Sequence, residues 1–359
     1  MKETFPYEDN IKQKSEELLW KLYNDNVEFD FGLSYREIGQ KVDEKFNIEW
    51  YQFDSERVRN VKRKFEKQVL NEKTDEIINK INAHTTSHTD IHINKNKILI
   101  LNDLHFPFNR EDILDVVEKH KNEIKALILG GDILDCYEVS SFSNLGDYPI
   151  EEELVYALDI LKKIKNILPT DVKIILIYGN HEERWTRFIA KQQIKGFYKF
   201  IDPHVLQMLK EGFTLYENGK QEVYKGIDDL IIINNWYVNI NDKLIVCHPK
   251  NFSRVHIKNA KMAIEHFIYR NEKFACVVVA HNHHQGEAPN YLGKYGVESG
   301  CMCLPFDYTE GRTTTTPQDY GYFIAAFDNE GNIDKNECRL YKLEDNLEKN
   351  QDSNIKIEF

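Results

Sequence analysis

The sequence has no apolar run approaching the roughly 20 residues that a helix needs to cross a bilayer. Its first twenty residues, MKETFPYEDNIKQKSEELLW, hold no apolar stretch of the kind a secretory signal carries. A membrane or exported protein is not expected, and the cytoplasm is the expected compartment. No two cysteines are spaced as CxxC, and the six that occur are scattered. Cys136, Cys247 and Cys276 sit in or beside apolar runs, and Cys301 and Cys303 are too close for a familiar zinc half-site. Reduced, buried thiols are expected rather than a disulfide framework. Positive charge is in short supply, with a formal net charge of -12. That argues against a protein that coats nucleic acid by charge alone, while leaving room for a local basic face.

What is present fits a globular chain: 41% of residues are hydrophobic and 30% charged. A length of 359 residues is long for one core, so a large domain with a smaller appendage is expected. Residues 8–72 read as helical. Leu18, Leu19 and Leu22 share a face of the first helix. Ser34-Tyr35-Arg36-Glu37 has the form of a capping box opening a second helix, whose stripe is Ile38, Val42 and Phe46. A third begins near Ser55, with Val58, Val61, Phe65 and Val69 at helical spacing and Arg57, Arg59, Lys62, Arg63, Lys64 and Lys67 on its other faces. Three such helices suit a helix-turn-helix or winged-helix unit with Arg57, Arg59, Lys62, Arg63 and Lys64 as candidate nucleic-acid contacts. The link from Asn47 to Ser55 is longer than the usual tight turn. A helical docking or dimerisation arm is the alternative.

The expected organisation is a helical domain at 1–72, a polar linker at 73–96, a main domain at 97–343 with a cap-like insertion at about 186–242, and a polar tail at 344–359. His84, His88 and His92 recur every four residues in the linker, but the Thr, Ser and Asp between them favour a polar connection over a helical metal patch. In the main domain, apolar strands alternate with helical stretches, the sign of a layered α/β core. The insertion mixes Lys191, Lys195 and Lys199 with Phe188, Phe197, Tyr198 and Phe200, which suits a strand-binding channel or an ordinary amphipathic helix. The stretch GRTTTTPQDYG is a candidate closing loop.

Five apolar runs end in residues that ligate metals: Asp103-Leu104-His105, Gly131-Asp132, Gly179-Asn180-His181-Glu182, Cys247-His248 and His281-Asn282-His283. In α/β sheets, ligands bind where strands end at their carboxyl edge, so residues far apart in sequence can converge there. Carboxylate, amide oxygen and imidazole together suit manganese, with iron, zinc or nickel as alternatives. Two such ions close together clamp the oxygens of a phosphoryl displacement and acidify water.

The segments NDLH, GGDILD, GNHE, the strand-end His248 and AHNHH, in this order over about 97–335, resemble the five-motif pattern of the calcineurin-like metallophosphoesterases. The resemblance implies a layered β-sandwich flanked by helices and a site for two divalent metal ions. It implies that Asp103, His105, Asp132 and His283 hold one ion, and that Asp132, Asn180, His248 and His281 hold the other. It makes His181 a general acid rather than a ligand, and Asp135 a residue that orients a neighbour. Arg184 and Arg187 follow at a spacing that suits a phosphate contact. Ala280 replaces the usual glycine of the last motif, and Pro249 follows His248 where a small residue is usual. Neither change removes a ligand. Protein Ser/Thr phosphatases carry arginines where this chain has Cys136 and Tyr178.

The wider pattern also resembles phosphoesterases encoded in bacteriophage and mobile-element genomes. The resulting expectation is hydrolysis of phosphodiesters in nucleic acid or nucleotides. A phosphomonoesterase acting on a small molecule or nucleic-acid end is one alternative. A DNA-binding regulator with a vestigial phosphoesterase domain is another, and the intact ligand set argues against it.

Overall fold

The computed structural model describes residues 5–29, 32–51, 54–82, 88–89, 97–140, 148–191, 204–305 and 318–344. Among them the chain forms two compact units, residues 1–80 and 81–359.

The first unit packs α1 (Asp9–Phe29), α2 (Tyr35–Phe46) and α3 (Ser55–Asn82) around Leu19, Ile38, Val42, Tyr51, Val58 and Val61. The capping box is formed: Ser34 Oγ accepts from Glu37 N, and Ser34 N donates to Glu37 Oε2 at 2.7 Å. The long link after α2 is itself structured. Buried Asp43 accepts from the backbone of Trp50 and Tyr51, which seats the Tyr51 ring in the core. Helix α3 runs on to Asn82, beyond the last residue of its apolar stripe, Val69, and through ten positions where a polar linker was expected. His84 and His92 lie outside the described residues.

The second unit is a sandwich of two six-stranded sheets. One has the order β14-β13-β2-β3-β4-β7, with β2 (Lys97–Leu101), β3 (Ala126–Leu129), β4 (Lys173–Ile177), β7 (Ile231–Ile233), β13 (Gly321–Ala326) and β14 (Arg339–Lys342). The other has the order β1-β8-β9-β10-β12-β11, with β1 (His88–Thr89), β8 (Tyr237–Ile240), β9 (Leu244–Cys247), β10 (Cys276–Val279), β11 (Gln285–Tyr291) and β12 (Lys294–Ser299). Strands β2, β3, β4 and β7 run parallel, as do β9, β10 and β12.

The continuous apolar runs have a plain cause, since each central strand is buried on both faces. Ile98, Ile100, Ile128, Ile175 and Ile177 meet Val246, Val278 and Val297 between the sheets. Their neighbours Leu99, Leu101, Leu127, Leu129 and Leu176 face α4 (Ile113–His120), α5 (Ile150–Ile167) and α7 (Val205–Glu211). On the opposite side, Ile245, Cys247, Val277 and Val279 pack against α8 (Lys258–Tyr269). The result is a helix–sheet–sheet–helix stack.

Of the span 186–242, α6 (Asn180–Lys191) supplies the start and the hairpin β5 (Gly212–Glu217) and β6 (Lys220–Lys225) the middle. Its strand-like end is not separate from the core. Strand β7 pairs with β4 and β8 with β9, so these residues complete the two sheets. Lys195, Lys199, Phe197, Tyr198, Phe200, most of GRTTTTPQDYG and the tail beyond Glu344 lie outside the described residues. All six cysteines are free and buried. No helix of the described residues is long and apolar enough to cross a membrane.

One buried carboxyl ties a helix to the loop that follows β3. Glu153, on α5, accepts the backbone N–H groups of Cys136 and Tyr137, both at 2.7 Å. Burial pushes its carboxyl up to about 8. A carboxyl raised in the folded state keeps its proton there while the unfolded chain has lost it. Its contribution to stability is therefore full below about pH 4.5 and is lost as pH rises through about 8. Urea unfolding at pH 5.5 and 7.5 will show wild type losing stability across this window at up to about 1.4 kcal/mol per pH unit. Glu153→Gln, though less stable at the lower pH, will lose distinctly less.

Candidate metal centre

The five strand ends β2, β3, β4, β9 and β10 open on one edge of the sandwich, and their terminal residues turn inward there. Asp103, His105, Asp132, His281 and His283 all have φ between 48° and 80°. This left-handed region costs a non-glycine residue of order 1 kcal/mol or more. Two glycines permit the close approach. A Cβ on Gly131 would lie 2.4 Å from His248 Nδ1, and one on Gly179 would lie 2.2 Å from both Asp132 N and Oδ1.

Two fully buried carboxylates, Asp103 and Asp132, stand at the centre. Asp132 Oδ2 accepts no hydrogen bond among the described residues. It lies 3.2 Å from His248 Nε2 and 3.7 Å from Nε2 of both His105 and His181. Asp103 Oδ1 is 3.4 Å from His283 Nε2, and its carboxylate accepts the backbone N–H of His281. Asn180 Oδ1 is 2.9 Å from His248 Nε2. Asp103, His105 and Asp132 form one compact donor group, and Asp132, His248 and His281 another. All seven residues expected as ligands thus meet at one edge.

The imidazoles are held from behind. His248 Nδ1 donates to Gly130 O at 3.1 Å, His105 Nδ1 faces Asp135 Oδ1 at 2.9 Å, and Gln318 lies 2.7 Å from His283 Nδ1. Each contact turns Nε2 toward the carboxylates, as metal-binding histidines require. Burial pushes His105 down to about 4 and His281 down to about 3, so both rings are neutral, the ligating form. Burial opposes charge on His248 too, but the Asp132 and Asp103 carboxylates outweigh it and carry the ring up to about 9. This donor set fits divalent cations. Two buried carboxylates need compensating positive charge, one acceptor atom lacks a donor, and the hard oxygen and imidazole ligands are those such ions prefer.

His181 stands over the group at the start of α6. Its Nδ1 donates to Asp135 O at 2.8 Å, and its Nε2 accepts from Arg184 at 2.7 Å. Arg184 also donates to Asp135 O at 3.1 Å. Asp135 is a hub, with His105 and His181 holding its carboxyl below the ordinary range despite burial. Arg187 pairs with Glu183, as does Lys250.

Several partners carry no sequence signal beyond their type. Buried Glu182 accepts four backbone N–H groups, from Asp132, Ile133, Leu134 and Gly179, and so joins two ligand loops. Cys303 groups with His105 and His283. A cavity of about 230 Å³ adjoins Asn180 and His248, lined also by Thr186, Asn234, Asn235, Trp236 and Lys250.

The candidate nucleic-acid contacts belong to the first unit. Arg57 lies 3.8 Å from the Trp50 ring centroid and pairs with Asp54. Lys62 lies over Tyr23, Lys64 pairs with Glu16, and Arg59 faces Tyr35. Arg59 and Arg63 are exposed.

Residues 96–299 match the family described as calcineurin-like phosphoesterase. Among solved structures, the chain is similar to a protein serine/threonine phosphatase from Saccharomyces cerevisiae with similarity to human phosphatase PP5. Identity is 13% over 79% of this chain and 91% of that one, with a TM-score of 0.38. It is also similar to Chaetomium thermophilum Vps29, at 12% identity over 69% of this chain and 93% of that one, with a TM-score of 0.29. A predicted phosphoesterase from Streptococcus pneumoniae is similar at 11% identity over 70% of this chain and all of its own, with a TM-score of 0.26. No curated protein matches the chain in sequence. The family match spans more than half of the 359 residues and contains Asp103, His105, Asp132, Asn180, His248, His281 and His283, so the chain belongs to the calcineurin-like phosphoesterases, metal-dependent hydrolases of phosphate esters.

Proposed function

We propose that the protein hydrolyses phosphodiester bonds in nucleic acid or nucleotides, using two divalent cations, manganese first among the candidates. The cavity beside Asn180 and His248 carries this reading. A diester has two organic substituents to place, and a monoester only one. The lining of amides, a hydroxyl and an indole, with Lys250 paired to Glu183 at 2.7 Å, suits a nucleoside group. The supply of fixed cations points the same way. Cys136 and Tyr178, where protein phosphatases keep arginines, are buried, and the Tyr178 hydroxyl meets Thr186 and Val205 N. Arg184 remains as a fixed cation at the site, which suits the single negative charge of a diester.

In this reading Asp103, His105, Asp132 and His283 hold one cation, and Asp132, Asn180, His248 and His281 the other. When bound, such ions acidify water and neutralise charge on the phosphoryl oxygens. Asp135 O, and the Asp135 carboxylate 3.0 Å from Nδ1, keep the His181 ring oriented. His181 Nε2 then gives its proton to the departing oxygen, while Arg184 shifts from that atom to the phosphoryl group. The exposed Arg59 and Arg63 of α3 contact nucleic acid backbone.

Four outcomes test this. Asp132→Ala, which removes the shared carboxylate, will lose two manganese ions per chain by elemental analysis, while His281→Ala will lose one; equal losses would remove the shared ligand. Bis(p-nitrophenyl) phosphate will be cleaved faster than p-nitrophenyl phosphate, and single-stranded or duplex nucleic acid will be cut. His181→Ala will lower kcat on nucleic acid by about 100-fold or more. It will cost far less with the p-nitrophenyl diester, whose leaving group needs no proton. Monoester turnover alone would leave the phosphomonoesterase reading, and nucleic-acid binding without any turnover the regulatory one. Finally, Arg59→Glu with Arg63→Glu will weaken DNA binding at least tenfold and flatten its salt dependence. Unchanged binding would make the helical unit a docking arm.

A further inference from the structure

The last motif contains a third histidine, His284, directly after the ligand His283 and outside the dinuclear set. Its ring is buried, and the ring of His256 lies against it with centroids 4.7 Å apart. His284 Nδ1 is 3.8 Å from Asp319 Oδ2. That is too long for a hydrogen bond. It is close to the separation of two ligands that share one ion at roughly 2.0–2.2 Å from each. One ligating atom each from His256, His284 and Asp319 lies within 4.8 Å of the other two.

We propose that His256, His284 and Asp319 form a third metal site, separate from the dinuclear centre, that takes a single zinc-like transition-metal ion. Two imidazoles and one carboxylate are a common three-residue set for Zn²⁺, with water completing the tetrahedron. The three residues come from different segments, each anchored by its backbone. The turn after His256 is pinned by Glu298, which accepts from the N–H groups of Ile257, Asn259 and Ala260. Asp319 N donates to His283 O at 2.8 Å, and Asp319 Oδ2 accepts from Gln285 N at 2.9 Å. An ion here joins the segment after β9, the end of the last motif and the chain entering β13.

The test is zinc content of the full-length protein after loading with Zn²⁺ and removal of excess, with anomalous scattering at the zinc edge for position. Wild type will hold three ions per chain, and His256→Ala and Asp319→Asn will each hold two. Both variants will keep p-nitrophenyl diester turnover within about twofold of wild type. Asp132→Ala will retain one ion, at the third site. The proposal falls if wild type and His256→Ala hold the same number of ions, or if no anomalous peak lies between His256, His284 and Asp319. In either case the two rings are a packed pair without a metal. These outcomes are independent of the phosphodiester reading, because the ion count needs no substrate.

Discussion

The fold of the second unit is built around the burial of two aspartates. A carboxylate removed from water costs several kcal/mol unless opposite charge and hydrogen bonds replace its hydration. Asp103 and Asp132 are both fully buried, and the protein surrounds them with imidazoles rather than lysine or arginine. Imidazole supplies a full charge only when protonated, so His248 is driven toward its charged form by the two aspartates. A divalent cation held there would supply the compensating charge to both carboxylates in place of that proton. The left-handed backbone at Asp103, His105, Asp132, His281 and His283 and the bare glycines beside them follow from the same demand, since these side chains reach a common point only if the strands break off sharply. Such strain persists because the sheets behind it are held by isoleucine, leucine and valine on both faces.

Much of this was legible in the sequence, and the reason is physical. A strand buried on both faces must be a continuous apolar run, and a ligand at its end must be Asp, Asn or His. KILILNDLH and ACVVVAHNHH show both properties within ten residues each. The capping box at Ser34 was legible because it is local, with donor and acceptor three positions apart. What escaped notice is non-local. Glu153 and Glu182 look like ordinary helix acids, but their carboxyls accept main-chain donors in loops 16 to 50 positions away. Gln318 stands in a polar stretch and reaches His283 only through the fold. The strands β7 and β8 were assigned to an insertion because chain order placed them between motifs. Their pairing with β4 and β9 is a fact of topology that no periodicity encodes.

The basic helix of the first unit shows a different limit. Its positive residues read in the sequence as covering the faces away from its apolar stripe. In the folded unit, Arg57 stacks on Trp50 and pairs with Asp54, Lys62 lies over Tyr23, and Lys64 pairs with Glu16. Aromatic and acidic neighbours absorb part of the field that a phosphate backbone would otherwise meet. A helix rich in lysine and arginine can thus owe some of its charge to packing of the unit itself.

Glu182 links charge at the metal centre to the shape of the loops that build it. Its four N–H donors come from the loop after β3, which carries Asp132, and the one after β4, which carries Asn180. Burial, with the Asp132 carboxylate nearby, pushes its carboxyl up to about 7. A cation held by Asp132 would offset that charge and lower the cost of ionising Glu182. An ionised carboxylate accepts hydrogen bonds roughly twice as strongly as a neutral one. The clamp on the loops of Asp132 and Asn180 is therefore stronger in the ionised form of Glu182.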